Sequence, residues 1–239
     1  MTAGQAGLFA QNAAKMAVDL AAVDTAIISH GHYDHGGGLG TFLEINKKAK
    51  VYLHQAAFGR YYAISNDKER YIGLAQELKT DEQLHFVGDQ LVIDGELAVF
   101  AGVAGQKFLP AGNKVLYKQE GALFVPDGFI HELNLIINEK GKILLLSGCS
   151  HRGIVNILEH YRAKYQKCPD VVIGGFHLYN PTTDEYEEPA VIAEIGEYFK
   201  ETGAKYYTCH CTGWQAYQQL KTMLGDSIEY LSADSQLII

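Results

Sequence analysis

The sequence predicts an α/β layered sandwich, and three observations predict it. The first half reads mostly as short strands that pair in hairpins. The second half alternates helix and strand. Several of its strands run directly into turns that carry histidine. Hairpins early and helix–strand alternation late suit sheets covered by helices. The chain has 239 residues, 47% of them hydrophobic and 20% charged, and reads as one domain spanning 1–239.

Phe9, Ala13, Met16 and Leu20 recur at helical spacing and predict an amphipathic helix over roughly 6–19. Thr25–Ser29 is a short buried strand. Gly36, Gly37 and Gly38 lead into a short helix through Phe42, and Val51–Leu53 is a further strand. The stretch 55–82 mixes aromatic and charged residues and reads as a loop with short helical pieces. Strands follow at 84–88 and 91–103, the latter turning at Asp94-Gly95. Residues 104–130 lack periodicity and read as a long substrate loop. Residues 132–148 form a hairpin around Glu139-Lys140-Gly141. Helices then start at Ile154, Val191 and Trp214, separated by strands at 170–175 and 205–209. Strands at 228–232 and 236–239 close the chain.

The formal net charge of −8 disfavours non-specific nucleic-acid binding. No stretch reaches the ~20 apolar residues of a membrane helix. The N-terminus has neither a basic start nor a continuous apolar run, so no signal peptide is read. Four cysteines are too few for a disulfide scaffold and fit a reducing compartment. The expected location is the cytoplasm, without membrane or nucleic-acid partners.

The chemistry concentrates in His30-Gly31-His32-Tyr33-Asp34-His35, which follows a buried strand and precedes the three glycines. Neutral imidazoles and a carboxylate suit zinc and related divalent ions. In a turn at a strand end, His30 and His32 can face one side while Asp34 and His35 face the other. That arrangement can serve two ions. Three later histidines each follow a strand: His151 in Gly148-Cys149-Ser150-His151-Arg152-Gly153, His177 in Gly174-Gly175-Phe176-His177-Leu178, and His210 in Cys209-His210-Cys211-Thr212-Gly213. Functional groups gather at the carboxyl ends of strands in α/β folds, so these three and the first motif read as one centre.

With these motifs the chain resembles the metallo-β-lactamase superfamily over most of its length. The later motifs resemble the subfamily that includes dihydropterin–ribofuranosylaminobenzene-phosphate synthases. The resemblance implies the αββα sandwich of that superfamily, here lacking the first N-terminal strands. It implies two divalent metal ions, zinc with manganese or iron as alternatives. His30, His32 and His151 would hold the first ion, and Asp34, His35 and His210 the second. Members often carry a bridging aspartate where this chain has Gly-Gly-Phe-His177. His177 is therefore either a ligand or, the favoured reading, a contact to substrate. Members also open with a hairpin and an Asp-Thr-Gly strand end, near where this chain reads Met1-Thr2-Ala3-Gly4. Missing strands predict either homodimer contacts that cover an exposed sheet edge or reduced stability.

Asp34 and His177 are the catalytic candidates. Arg152 and His54 join His177 as candidate contacts to a small anionic substrate, although Arg152 could equally pair with a surface carboxylate and His54 sit in the core. His131 divides evenly between pocket and surface. His85 and His160 read as structural. Cys209 and Cys211 read as packing, with Cys149 behind the ligands. The expected activity is hydrolysis of a phosphoester or related ester by a metal-activated hydroxide. The alternatives are a transferase joining a pterin diphosphate to an aryl ribose phosphate, a thiolester or lactone hydrolase, and a non-enzymatic sensor that keeps the fold.

Overall fold

A computed structural model describes residues 6–233 and 235–238. In chain order the first half contains α1 (Ala6–Lys15), β1 (Thr25–Ile27), α2 (Tyr33–Gly36), α3 (Leu39–Ile45), β2 (Lys50–His54), β3 (Tyr61–Ser65), β4 (Lys68–Tyr71), β5 (Leu84–Val87), β6 (Gln90–Val92), β7 (Leu97–Phe100), β8 (Leu116–Glu120) and β9 (Leu123–Pro126). The second half contains β10 (Asn134–Glu139), β11 (Lys142–Leu146), α4 (Ile154–Tyr165), β12 (Val171–Gly174), β13 (Tyr179–Asn180), β14 (Glu185–Tyr186), α5 (Pro189–Thr202), β15 (Lys205–Thr208), α6 (Trp214–Leu224) and β16 (Ile228–Tyr230).

Two sheets face each other with helices outside both. One is the three-stranded sheet β1-β2-β5, and the other runs β16-β15-β12-β11-β10-β7-β6. Strand β2 shows why the layers form. Its Val51 and Leu53 pack with Phe42, Leu43 and Ala13 of the first two longer helices. The intervening Tyr52 points the other way and packs with Val99 of the large sheet and with Leu133, just before β10, as the two-residue period of a strand requires. Beyond the large sheet, Leu145, Val172 and Tyr206 pack against Ile157, Ile195, Phe199 and Leu220 of α4, α5 and α6. The layer order is therefore helix, sheet, sheet, helix.

Topology places the site. Strands β6, β7, β10 and β11 pair antiparallel, whereas β11, β12, β15 and β16 pair parallel. Parallel neighbours need helical crossovers, and α4, α5 and α6 supply them. All the parallel strands consequently end on one edge. The loops after β11, β12 and β15 carry His151, His177 and His210 there.

Four expectations change. Residues 55–82 and 104–130 are not loops alone. Each contributes a hairpin, β3–β4 and β8–β9, and the two join in a four-stranded sheet, β4-β3-β8-β9. The missed signal was turn chemistry: Asn66 and Asp67 both take positive φ (50° and 58°), as a tight hairpin turn demands. The first helix stops at Lys15 rather than 19, because Ala17 turns left-handed at φ 55°. Residues 236–238 form no strand, since β16 already fills the place beside β15; Ile239 lies outside the described residues. So do residues 1–5, on which the expectation of missing opening strands falls. Among the described residues, no helix is long and apolar enough to cross a membrane.

Candidate metal centre

The strand–turn order of the first motif sets its geometry. β1 delivers Ser29 and His30 to the sheet edge, and the short α2 then carries Asp34 and His35. Gly31 is required between them: a Cβ there would lie 2.2 Å from the carbonyl oxygen of Ala57. The loops after β11, β12 and β15 each hold one non-glycine residue in the left-handed region, Ser150 (φ 58°), His177 (φ 50°) and His210 (φ 52°). Each such residue stores backbone strain of ~1–3 kcal/mol, which clusters at functional sites.

Two donor sets result. His30, His32 and His151 are fully buried and have one donor atom each within 4.8 Å of the others. Their rings form a near-equilateral triangle, with centroids 4.8, 4.9 and 5.0 Å apart. Nε2 of all three is buried with no hydrogen-bond partner in the chain. Buried polar atoms are rarely left unpaired, so three converging orphans fit a cation. The second set is Asp34, His35, His210 and Cys149. Nε2 of His210 lies 3.0 Å from Oδ2 of Asp34 and 3.4 Å from Nε2 of His35.

A network behind the rings positions them and fixes the tautomer of His151. Asn113 donates to the backbone carbonyl of His151 at 2.7 Å, so its amide oxygen faces Nδ1 of the same ring at 3.0 Å. That oxygen only accepts, so Nδ1 carries the proton and Nε2 keeps its lone pair for the centre. The Ser29 hydroxyl lies 3.1 Å from Nδ1 of both His30 and His35. One side chain thus buttresses both sets. His131 accepts from the backbone N–H of Gly31 at 2.9 Å, and its Nε2 therefore donates to Asp127, 3.1 Å away. The same Asp127 oxygen lies 3.6 Å from Nε2 of His32. Glu132 accepts from the backbone N–H groups of His151 and Arg152 at 2.6 and 3.0 Å.

The electrostatics favour ligation by His30, His35 and His151. Burial, reinforced by the surrounding histidines, holds His30 and His151 well below the ordinary imidazole range. Burial takes His35 down to about 4. These rings stay neutral, the form a metal needs. Burial opposes the charge on Asp34, but the His210 hydrogen bond and the charges of His35 and His32 prevail and keep it ionised. His210 is pushed down by burial and up, more strongly, by Asp34 and Cys211, reaching about 9. Burial raises Glu132 to about 7 against the two backbone N–H groups that favour its anion.

The site opens into a cavity of about 290 Å³ that Asp34, Cys149, His151, His177 and His210 line with Ala63, Ile72, Leu116, Tyr33 and Arg70. His177 also lines an adjoining cavity of about 300 Å³. Its ring lies 4.3 Å from that of His151, and neither of its nitrogens has a hydrogen-bond partner.

The six expected ligands and His177 therefore converge. The other two expected substrate contacts do not join them. The Arg152 guanidinium is taken up by the carbonyls of Val103, Gly105 and Gly128. His54 is buried, accepts from the backbone N–H of Ala56, and lines neither cavity. His131 is fully buried, not superficial. His160 stacks on Phe100 and His85 packs by Tyr52. Sequence reasoning missed Ser29, Asn113, Asp127 and Glu132, which carry no motif of their own. It missed Arg70 because the β3–β4 hairpin went unread. Cys149, read as lying behind the ligands, has its Sγ 3.0 Å from Nε2 of His35.

Comparison with known proteins gives a consistent picture. The family model of the metallo-beta-lactamase superfamily matches residues 2–127. An uncharacterized protein of Methanocaldococcus jannaschii, MJ0448, is 32% identical over 203 residues, covering 84% of this chain and 73% of that one. The 7,8-dihydropterin-6-methyl-4-(beta-D-ribofuranosyl)-aminobenzene-5'-phosphate synthase of the same organism is 30% identical over 225 residues, covering 88% and 74%. The crystal structure of Tm1679, a metal-dependent hydrolase of the beta-lactamase superfamily, superposes with a TM-score of 0.81 at 28% identity, covering 100% of this chain and 87% of that one. An isothiocyanate hydrolase from Delia radicum gut bacteria shares the fold at a TM-score of 0.53 and 14% identity, covering 92% and 78%.

Proposed function

Because the chain belongs to the metallo-beta-lactamase superfamily, we propose that it is a metal-dependent hydrolase acting on a phosphoester or related ester of a small anionic substrate. The observation that carries this reading is the pair of adjoining donor sets, one of them three buried imidazoles with unpartnered Nε2 atoms. His30, His32 and His151 would hold one divalent ion, and Asp34, His35 and His210 a second. Nitrogen and carboxylate donors favour zinc, with manganese or iron also accommodated. Ions bound there would supply a hydroxide nucleophile at neutral pH and polarise the ester.

The chain's own residues do the rest. Asp34 accepts a hydrogen bond from the attacking water and orients it. His177, which lines both cavities and has no hydrogen-bond partner at either nitrogen, donates to the negative charge that develops on the substrate. Ala63, Ile72 and Leu116 wall off bulk water. Arg70 lies 5.8 Å over the Tyr33 ring on the cavity lining and meets the anionic part of the substrate, the role Arg152 is not free to take.

The test is hydrolysis of phosphomonoester, phosphodiester and carboxylic ester panels by the metal-replete chain and its His32→Ala variant. Metal-dependent turnover lost in the variant supports the reading. No turnover on any panel by metal-replete protein contradicts it.

A second reading follows from the 30% identical synthase: transfer of a pterin unit from its diphosphate to an aryl ribose phosphate. Product from those two substrates, without phosphoester hydrolysis, would favour this transferase.

A further inference from the structure

We propose that the Cys149 thiolate is the fourth protein ligand of the Asp34–His35–His210 centre, closing it, so that the open coordination position belongs to the three-histidine centre alone. The inference rests on the metal-dependent reading above and deepens it.

Geometry carries it. A tetrahedral ion with bonds of ~2.0–2.3 Å needs its donors roughly 3.3–3.7 Å apart. Around His35 Nε2, the Cys149 sulfur lies at 3.0 Å, the His210 nitrogen at 3.4 Å and the Asp34 oxygen at 3.6 Å. The Asp34–His210 edge is 3.0 Å. All four donors lie within 4.8 Å of one another. Four of the six edges thus lie within about half an ångström of tetrahedral donor spacing.

A second observation is independent of these distances. Cys149 also groups within 4.8 Å with His151 and His177. His151 is 2% exposed and its Nε2 has no partner. The thiol therefore lies against the first donor set as well as within the second. Among the described residues, Cys149 alone belongs to a group with Asp34, His35 and His210 and to a group with His151.

The chemistry follows from the donor count. Closed four-ligand sites hold an ion structurally, whereas three-ligand sites leave a position for water or substrate. Thiolate also shifts preference toward zinc or iron and away from magnesium and manganese. Ligation needs the thiol deprotonated, so filling this centre releases one proton from Cys149 to solvent.

The experiment uses the full chain loaded with cobalt or zinc. X-ray absorption at the metal edge should show a sulfur scatterer at about 2.3 Å, and the cobalt form should show thiolate-to-metal charge transfer in the near ultraviolet. Cys149→Ser should abolish both signals while nitrogen and oxygen scatterers remain. Cys211→Ser, which removes a neighbouring thiol outside the donor set, should keep both. Metal-loaded wild-type protein with no sulfur shell overturns the proposal even if Cys149→Ser does not fold, and so does a charge-transfer band that survives Cys149→Ser or vanishes only in Cys211→Ser. These outcomes leave the metal-dependent reading standing. Wild-type protein that binds no metal sinks that reading and this one together.

Discussion

Asn113 holds His151 at two points, its amide nitrogen donating to the backbone carbonyl at 2.7 Å and its amide oxygen facing ring Nδ1 at 3.0 Å. It reaches across from the segment between β7 and β8, far from every histidine in sequence. Groups that orient a ligating ring in this way typically contribute ten- to hundredfold to metal affinity. Asn113→Ala should lower affinity at the three-histidine centre by about that factor and leave the other centre unchanged. Ser29→Ala, which removes the hydroxyl between His30 and His35, should weaken both. Two-site metal titrations by calorimetry distinguish these patterns. Equal weakening of both sites by Asn113→Ala would contradict the assignment.

Gly31→Ala should be severe although glycine touches no ligand atom. The new Cβ would press to 2.2 Å from a backbone carbonyl, that of Ala57. Neither partner can rotate away, so the cost should exceed about 2 kcal/mol. Thermal unfolding checks this. A melting temperature within a degree or two of wild type would show that the turn can move as a unit.

Arg70 should act on binding more than on chemistry. It lies on the cavity lining beside exposed Tyr33, donating to Thr182 at 3.3 Å. Arg70→Ala is expected to raise KM for an anionic substrate about tenfold with little change in kcat, the pattern of lost uniform binding. A neutral substrate of the same shape should be unaffected. A fall in kcat with constant KM would place Arg70 in the reaction itself.

The pH dependence of stability in chelator-treated protein has two limbs. His35 titrates at about 4 when folded against ~6.5 unfolded. The unfolded chain binds more protons in that window, so stability falls as pH drops from about 6.5 toward 4. His210 titrates at about 9 when folded. Here the folded chain binds more protons, and stability falls as pH rises from about 6.5 through 9. The melting temperature should peak between these limbs. Asp34→Asn removes the partner that raises His210 and should flatten the alkaline limb; it also removes the charge that holds His35 up, so the acid limb should extend to lower pH. An alkaline limb unchanged in Asp34→Asn would exclude the Asp34–His210 pair as its source.

What the sequence made legible follows from where its signals are local. The motif at 30–35 and the three strand-end histidines announce themselves because each lies beside a buried apolar strand. A layered α/β sandwich was likewise readable from early hairpins and late helix–strand alternation, whereas the αββα order came with the family resemblance. The groups that hold those histidines were not. Asn113, Asp127 and Glu132 are ordinary polar residues until the β8–β9 hairpin and the start of β10 bring them beneath the rings. Arg152 shows the converse error. Its place next to a ligand in sequence suggested substrate, but three backbone carbonyls already take up its guanidinium. The β3–β4 hairpin was hidden because its turn, Asn66-Asp67, lacks the glycine that usually marks one.

The central claim is that the two donor sets are a paired metal centre, and metal analysis of the purified chain tests it most directly. After incubation with zinc and removal of loosely held ions, the account predicts about two ions per chain, falling to about one in His32→Ala. Folded wild-type protein that retains no transition metal after the same treatment would contradict it.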